Sequence, residues 1–311
     1  MILFTFSISI LTASGAAPYV WSVGYAMECD YSPFRELPPD YRTHPPRSYL
    51  SPKEYIYDVK KGSVVWVQEH KLKEFYKTVL PSIKKRFVLV ISDGDESFPS
   101  SYRKHFPVDK LIAHPKITHI FAQNVDESHP KVSHIPIGLD FHSMAQHSVE
   151  EQVAVIEEGL KSLLPTHLRK KRALVEFHLC NRGTYDGESR ISIFHKIYPT
   201  GLIDALAERV PRNTLWAMKG EYAFSISPRG HGLDCHRTWE DLLLGCIVIV
   251  KTSPLDPLYK DLPVVIIRDW SEITEENFDI WLTQYGDAFT NPAYREKLTH
   301  AYWMNKIRSI K

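Results

Sequence analysis

The sequence predicts an α/β protein made of two Rossmann-like, doubly wound domains that face each other across a cleft. Three observations carry this expectation. Apolar strands without polar alternation recur along the chain, helical patterns separate them, and the alternation runs twice with a break near residues 145–165. Strands that do not alternate are buried on both faces, as in a parallel sheet covered by helices. With 311 residues there is room for two ordinary domains. The expected divisions are 1–29 as a signal, anchor or first strand, 30–150 as one domain and 151–311 as the other.

The elements follow in order. The start, "MILFTFSISILTASGAAPYVW", has no charged side chain before Glu28. Residues 2–11 resemble the apolar core of a signal peptide, although a basic leading segment is missing; a buried first strand fits as well. Residues 30–62 are rich in proline, tyrosine and charge and read as an irregular arm. "SVVWVQ" (63–68), "RFVLVIS" (86–92), "ITHIFAQ" (117–123) and "HIPIG" (134–138) read as strands, with a helical pattern over 71–83. An amphipathic helix over 149–164 ends near Pro165. The second half continues with a strand at 172–179, a helix at 200–210, strands at 214–218 and 222–227, a helix at 235–244, and strands at 246–250 and 262–268. Two helices close the chain, the last with Asn291 as cap and Pro292 in its first turn.

Composition bounds the function. Hydrophobic residues make up 43% and charged residues 24%, as in a soluble globular protein. The formal net charge of +1 provides no global field for nucleic acid or an anionic membrane, so any anion site is local. The four cysteines (Cys29, Cys180, Cys235, Cys246) show no C-x-x-C spacing, which argues against structural zinc and a disulfide scaffold. No N-x-S/T sequon occurs. If the apolar start is a signal or anchor the protein belongs to the secretory pathway, Golgi or ER; otherwise it is cytoplasmic. Membrane association stays open.

The segment "FSISPRGHGLDCHRTWEDLLLGCIVIV" (224–250) concentrates chemistry at a strand-to-helix turn. Ligands of open α/β sheets bind beyond strand carboxyl ends, near helix N-termini. Ser227 ends the strand, Gly230 and Gly232 let backbone approach a ligand, Asp234 reads as the N-cap, and Gly245 stops the helix. Arg229 and Arg237 converge on an anion at the helix N-terminus, beside His236, and two guanidiniums with a helix dipole suit a diphosphate. Glu240 lies three residues beyond Arg237 and reads as an acceptor for ribose hydroxyls. The alternative is a surface ion pair worth a few tenths of a kcal/mol. In the loop after the 172–179 strand, Asn181 and Arg190 face the same cleft, Arg190 as a further phosphate contact or a solvated helix-start arginine.

The run "SPRGHGLDCHRTWEDLLLGCIVIV" resembles the donor-binding segment of exostosin-like glycosyltransferases, with their C/S-P-R-G loop, arginine-bearing helix and G-C-I-P-V-I strand. It is similar to algal, viral and bacterial members with a "PRGNGLDCHRTWE" form, and the likeness extends to "LPVVIIRDWSEIT", "VLVISDGD" and "IPIGLD", across most of 63–275. His231 stands where asparagine is usual and Val248 where proline is usual. The resemblance implies a glycosyltransferase-B fold, with a nucleotide-diphosphate sugar held by the second domain and a glycan or glycoconjugate acceptor by the first. Arg229, Arg237 and Glu240 become donor contacts.

Glycosyl transfer needs a stabilised leaving diphosphate and a base for the acceptor hydroxyl. Arginines and a helix dipole supply the first without metal, so no cofactor is expected. The E-x7-E pair of many retaining enzymes is absent, because Gly232 lies eight positions before Glu240; inversion is therefore expected. Base candidates at strand carboxyl ends are Asp93 and Asp95, then Asp140 and His142, with Glu69 and His70 also available. A rival reading makes Asp93 and Asp95 a D-x-D site for Mn²⁺ or Mg²⁺. A non-catalytic nucleotide-sugar-binding protein is the other alternative. A dehydrogenase is disfavoured, since no G-x-G-x-x-G follows a strand.

Overall fold

The structure, a computed structural model, describes residues 17–32, 59–144, 147–179, 187–206 and 208–310. It is an α/β protein with two parallel sheets. The first is formed by β1 (Ser63–Gln68), β2 (Phe87–Ser92), β3 (Ile117–Ala122) and β4 (Val132–His134), in the order β1-β2-β3-β4. The second contains β5 (Lys170–Val175), β6 (Ile203–Ala205), β7 (Tyr222–Ile226), β8 (Ile247–Lys251) and β9 (Val264–Ile267), in the order β6-β5-β7-β8-β9. Every pairing is parallel.

The strands are apolar on both faces because both faces are covered. In the first sheet, Val65, Val67, Leu89 and Ile91 pack with Leu72, Phe75 and Leu111 from the crossovers. Their neighbours Val64, Trp66, Val88 and Val90 face a separate cluster containing Trp21, Tyr25 and Ile135. That cluster continues into the second half through Trp239, Leu242, Val248 and Val264, so one apolar body joins the two sheets. The other face of the second sheet, with Phe224, Ile226 and Ile249, packs on Ile193, Phe278 and Trp281.

Seven helices matter for the site and its frame: α1 (Gly24–Glu28), α2 (Val108–Ile112), α3 (Val149–Leu160), α4 (Arg190–Ile197), α5 (Arg212–Lys219), α6 (His236–Leu243) and α7 (Glu275–Tyr285). Two more, α8 (Pro292–Glu296) and α9 (His300–Arg308), end the chain, and α9 packs on α1. Residues 17–29 belong to the core: Val20, Trp21, Val23 and Tyr25 are fully buried, and Trp21 meets Phe141 edge-on at 5.4 Å. No helix of the described residues is long and apolar enough to cross a membrane.

Several expectations need correction. The predicted helix at 200–210 contains the edge strand β6, and the predicted strand at 214–218 lies inside α5. Pro211 supplies the N-cap of α5, and Trp216 and Lys219, three apart, form its buried face. In "HIPIG" the ladder stops at His134, although Ile135 and Ile137 remain buried. The predicted cap of the closing helix is found at α8, where the Asn291 side chain accepts from the Ala293 N–H. The chain then starts a separate helix, α9, capped by Thr299.

Candidate functional site

In the second sheet, β5 lies between β6 and β7, so the chain runs outward to β6 and then crosses to the other side of β5. The carboxyl ends of β5 and β7 therefore flank a topological switch point, the place where open α/β sheets bind ligands. Glu176 and Phe177 follow β5, Ser227 to Arg229 follow β7, and α6 begins just beyond.

Arg237, in the first turn of α6, is largely buried, and its Nε donates to Glu176 Oε1 at 2.5 Å. Its Nη1 is buried without a hydrogen-bond partner. Desolvation pushes the Glu176 carboxyl up, but the Arg237 and Lys219 charges outweigh it and hold the group at about 2. Lys219 Nζ bonds Glu176 at 2.8 Å and Asp241 at 2.5 Å, and Ser225 donates to the same Asp241 carboxylate. Two guanidiniums approach the Phe177 ring, Arg237 at 5.7 Å and Arg190 at 5.9 Å from its centre.

The arginines do not gather as expected. Arg229 Nη2 donates to the Thr252 carbonyl, beyond β8, whereas Arg237 turns to Glu176, beyond β5. These are opposite sides of β7, because β5 and β8 flank it in the sheet. It is Arg190 that shares the Phe177 ring with Arg237. Arg190 also clamps the loop, with Nε donating to the Arg229 carbonyl at 2.9 Å and Nη2 to that of Pro228 at 3.3 Å. Ser227 Oγ is 2.9 Å from Thr238 Oγ1 and so ties the strand end to α6. A small cavity opens here among Glu188, Ser227, Arg229, Cys235, Lys251 and Trp270. Asn181 lies outside the described residues.

The two glycines admit protein. A Cβ on Gly230 would sit 3.1 Å from Arg190 Nη2, and one on Gly232 would sit 3.0 Å from the Asp95 carbonyl and 3.2 Å from Asn124 Nδ2. Asp234 is not the N-cap; Cys235 is, without a side-chain bond. Asp234 instead joins the halves. Its carboxylate accepts from the N–H groups of Ile137 and Cys235 and from Trp239 Nε1, while its own N–H donates to Asn124 Oδ1. Burial lifts this carboxyl to about 6 against those donors. Glu240, expected at a ribose, pairs with Arg212, whose Nη1 also donates to the Asp140 carbonyl at 2.6 Å.

On the facing side, Asp93 follows β2 with φ at 67°, accepts Gln68 Nε2 at 2.5 Å and donates its N–H to Gln123 Oε1 at 2.5 Å. Asp95 is exposed, and its main chain is what meets Gly232. His236 Nδ1 lies 2.7 Å from the Gly138 carbonyl, and its ring is 5.2 Å from that of His142. Among the described residues, the grouping of three ligand-capable side chains is Asp140, His142 and His236, and it excludes both Asp93 and Asp95.

Glu176, Phe177, Lys219 and Arg212 were not singled out in the sequence. Glu176 was read as strand interior in "RALVEFHL"; the charge after "ALV" was the available sign that the strand stops at Val175. Lys219 and Arg212 were hidden by reading α5 as a strand.

No protein-family model matches this chain, and no curated protein matches it. Several solved structures are similar in layout. One, described as trehalose-6-phosphate from E. coli bound with UDP-2-fluoro glucose, shares 9% identity at TM-score 0.42, covering 84% of this chain and 76% of the other. A UDP-forming α,α-trehalose-phosphate synthase from Burkholderia xenovorans, in complex with glucose-6-phosphate, shares 10% at TM-score 0.42, with 84% and 75% covered. The N-terminal domain of Candida albicans trehalose-6-phosphate phosphatase shares 12% at TM-score 0.41, with 84% and 73% covered.

Proposed function

We propose that this protein is a glycosyltransferase that moves a sugar from a nucleotide-diphosphate sugar to a hydroxyl of a glycan or glycoconjugate, with inversion and without a metal requirement for transfer. The observation that carries the reading is Arg237: a buried cation in the first turn of α6, at a topological switch point, with an unpartnered Nη1. A buried donor without an acceptor costs free energy, and a phosphate oxygen is the acceptor that this charge and this helix end favour. The resemblance of 227–250 to exostosin-like donor segments supports the same ligand.

In this reading the diphosphate lies by Arg237 and the first turn of α6, and the nucleoside lies toward Ser227, Lys251 and Trp270. The leaving diphosphate gains its charge against a guanidinium and a helix N-terminus already in place, so stabilisation costs little reorganisation. Asp93 is the base. It stands at a strand end across from the donor loop, in a left-handed conformation that is costly for a non-glycine residue and concentrates at functional sites. It takes the acceptor proton as the hydroxyl attacks the anomeric carbon from the face opposite the diphosphate.

The test is a panel of UDP and GDP sugars, with product anomers read by NMR. Turnover that yields the opposite anomer, and falls about 100-fold or more in Asp93→Asn, is the expected result. Retention of configuration, or an Asp93→Asn variant as active as the parent, contradicts it.

A further inference from the structure

Three side chains distant in sequence meet where the two halves join. Asp140 and His142 come from the segment after β4, where His142 starts a 3-10 turn (His142–Met144), and His236 opens α6. One carboxylate oxygen and one nitrogen from each ring lie within 4.8 Å of one another. Asp140 Oδ1 and His142 Nδ1 are 3.4 Å apart. Two ligands placed about 2.1 Å from a tetrahedral cation stand roughly 3.4 Å apart, so this edge already has the spacing a cation needs.

Two of the three ligands, His236 and Asp140, are held from behind. His236 Nδ1 is 2.7 Å from the Gly138 carbonyl. A carbonyl only accepts, so Nδ1 carries the hydrogen and Nε2 presents a lone pair. Metal-ligating histidines are held in this way, through a second nitrogen that donates to an oxygen. Asp140 is steadied by the Ser143 N–H on Oδ1 at 2.9 Å and by Arg212 on its carbonyl. The Arg212 charge is paired with Glu240, so it is not set against an incoming cation alone.

We propose that Asp140, His142 and His236 form a binding site for a divalent transition-metal cation of the zinc class, which fastens the loop after β4 to the start of α6. Two imidazoles and one carboxylate suit Zn²⁺, Co²⁺ or Ni²⁺ over Mg²⁺ or Ca²⁺, which take oxygen ligands. Three protein ligands leave a fourth position for water. The site stands apart from the sugar-transfer reading: it fastens the two halves and supplies nothing to the departure of the diphosphate.

The experiment is a titration of the EDTA-stripped full-length chain with Co²⁺, followed by visible absorption, by displacement with Zn²⁺ and by the melting temperature. The expected result is one equivalent bound with tetrahedral absorption, displaced by one equivalent of Zn²⁺, and a higher melting temperature with metal. Removing an outer partner of a ligand costs 10–100-fold in affinity, so His142→Ala and His236→Ala, which remove ligands, are each expected to weaken binding by about 100-fold or more. His129→Ala, at an exposed position, leaves binding unchanged. His142 starts a short 3-10 turn (His142–Met144) outside α6, so His142→Ala keeps the test open if His236→Ala disturbs α6. Absence of one-to-one binding by the parent chain overturns the proposal, as does binding unchanged in both ligand variants.

Discussion

Glu69 follows β1 and lies beneath the turn that carries Asp93 and Asp95, where its Oε2 accepts the Glu96 N–H at 2.9 Å. Burial lifts its carboxyl to about 7, against the pull of Glu96 and Tyr102. The folded chain thus keeps a proton that the unfolded chain has released by about pH 4.5. The stabilisation is complete below that value and is lost as pH rises through 7. The shift corresponds to roughly 3 kcal/mol. Glu69→Gln keeps an acceptor for Glu96 and carries no charge, so its unfolding free energy in urea should fall less than the parent's between pH 5 and 8. Parallel profiles would show that Glu69 is not the source. The sequence offered Glu69 only as one carboxylate among several candidate bases, because burial beneath a turn leaves no mark in residue order. Arg237 stood out in the sequence from its place in the motif, but its partner Glu176 did not.

At the scale of elements, α5, α6 and β5 are held by buried charge. Lys219 on α5 joins Asp241 on α6 to Glu176 beyond β5, and Arg237 closes the group. Glu176 retains Arg237 if Lys219 is lost, whereas Asp241 loses its cation in a fully buried position. Removing one partner of a buried pair typically costs about 3–5 kcal/mol, so Lys219→Met is expected to lose that much in urea unfolding, and adding Asp241→Leu to recover part of it. A loss below about 1 kcal/mol would mean that the network is not structural. The central strands of both sheets were readable because an unbroken apolar run such as "FVLVIS" fits a strand covered on both faces. The 200–219 stretch was inverted for a physical reason. The edge strand β6 is three residues long and too short for a periodic signal, while the apolar run "TLWAM" in α5 buries Trp216 alone.

For the molecule as a whole, the two halves are joined more closely than a cleft between independent domains would suggest. Asp234 accepts from Ile137, Asn124 accepts from the Asp234 N–H, His236 meets Gly138, and Gly232 packs on Asp95. None of these long-range contacts was visible in sequence, since they depend on how the two sheets meet. The proposed donor site is the switch point of the second sheet, with Arg237 at its centre. The measurement that tests this most directly is calorimetric titration of the chain with UDP and GDP in the presence of EDTA, repeated with Arg237→Lys and Arg237→Gln. A hydrogen bond to a charged group contributes about 1.5–3 kcal/mol, so the account predicts binding that survives EDTA and weakens by about 10- to 100-fold when the guanidinium is replaced. Binding that vanishes with EDTA, or is indifferent to Arg237, would contradict it.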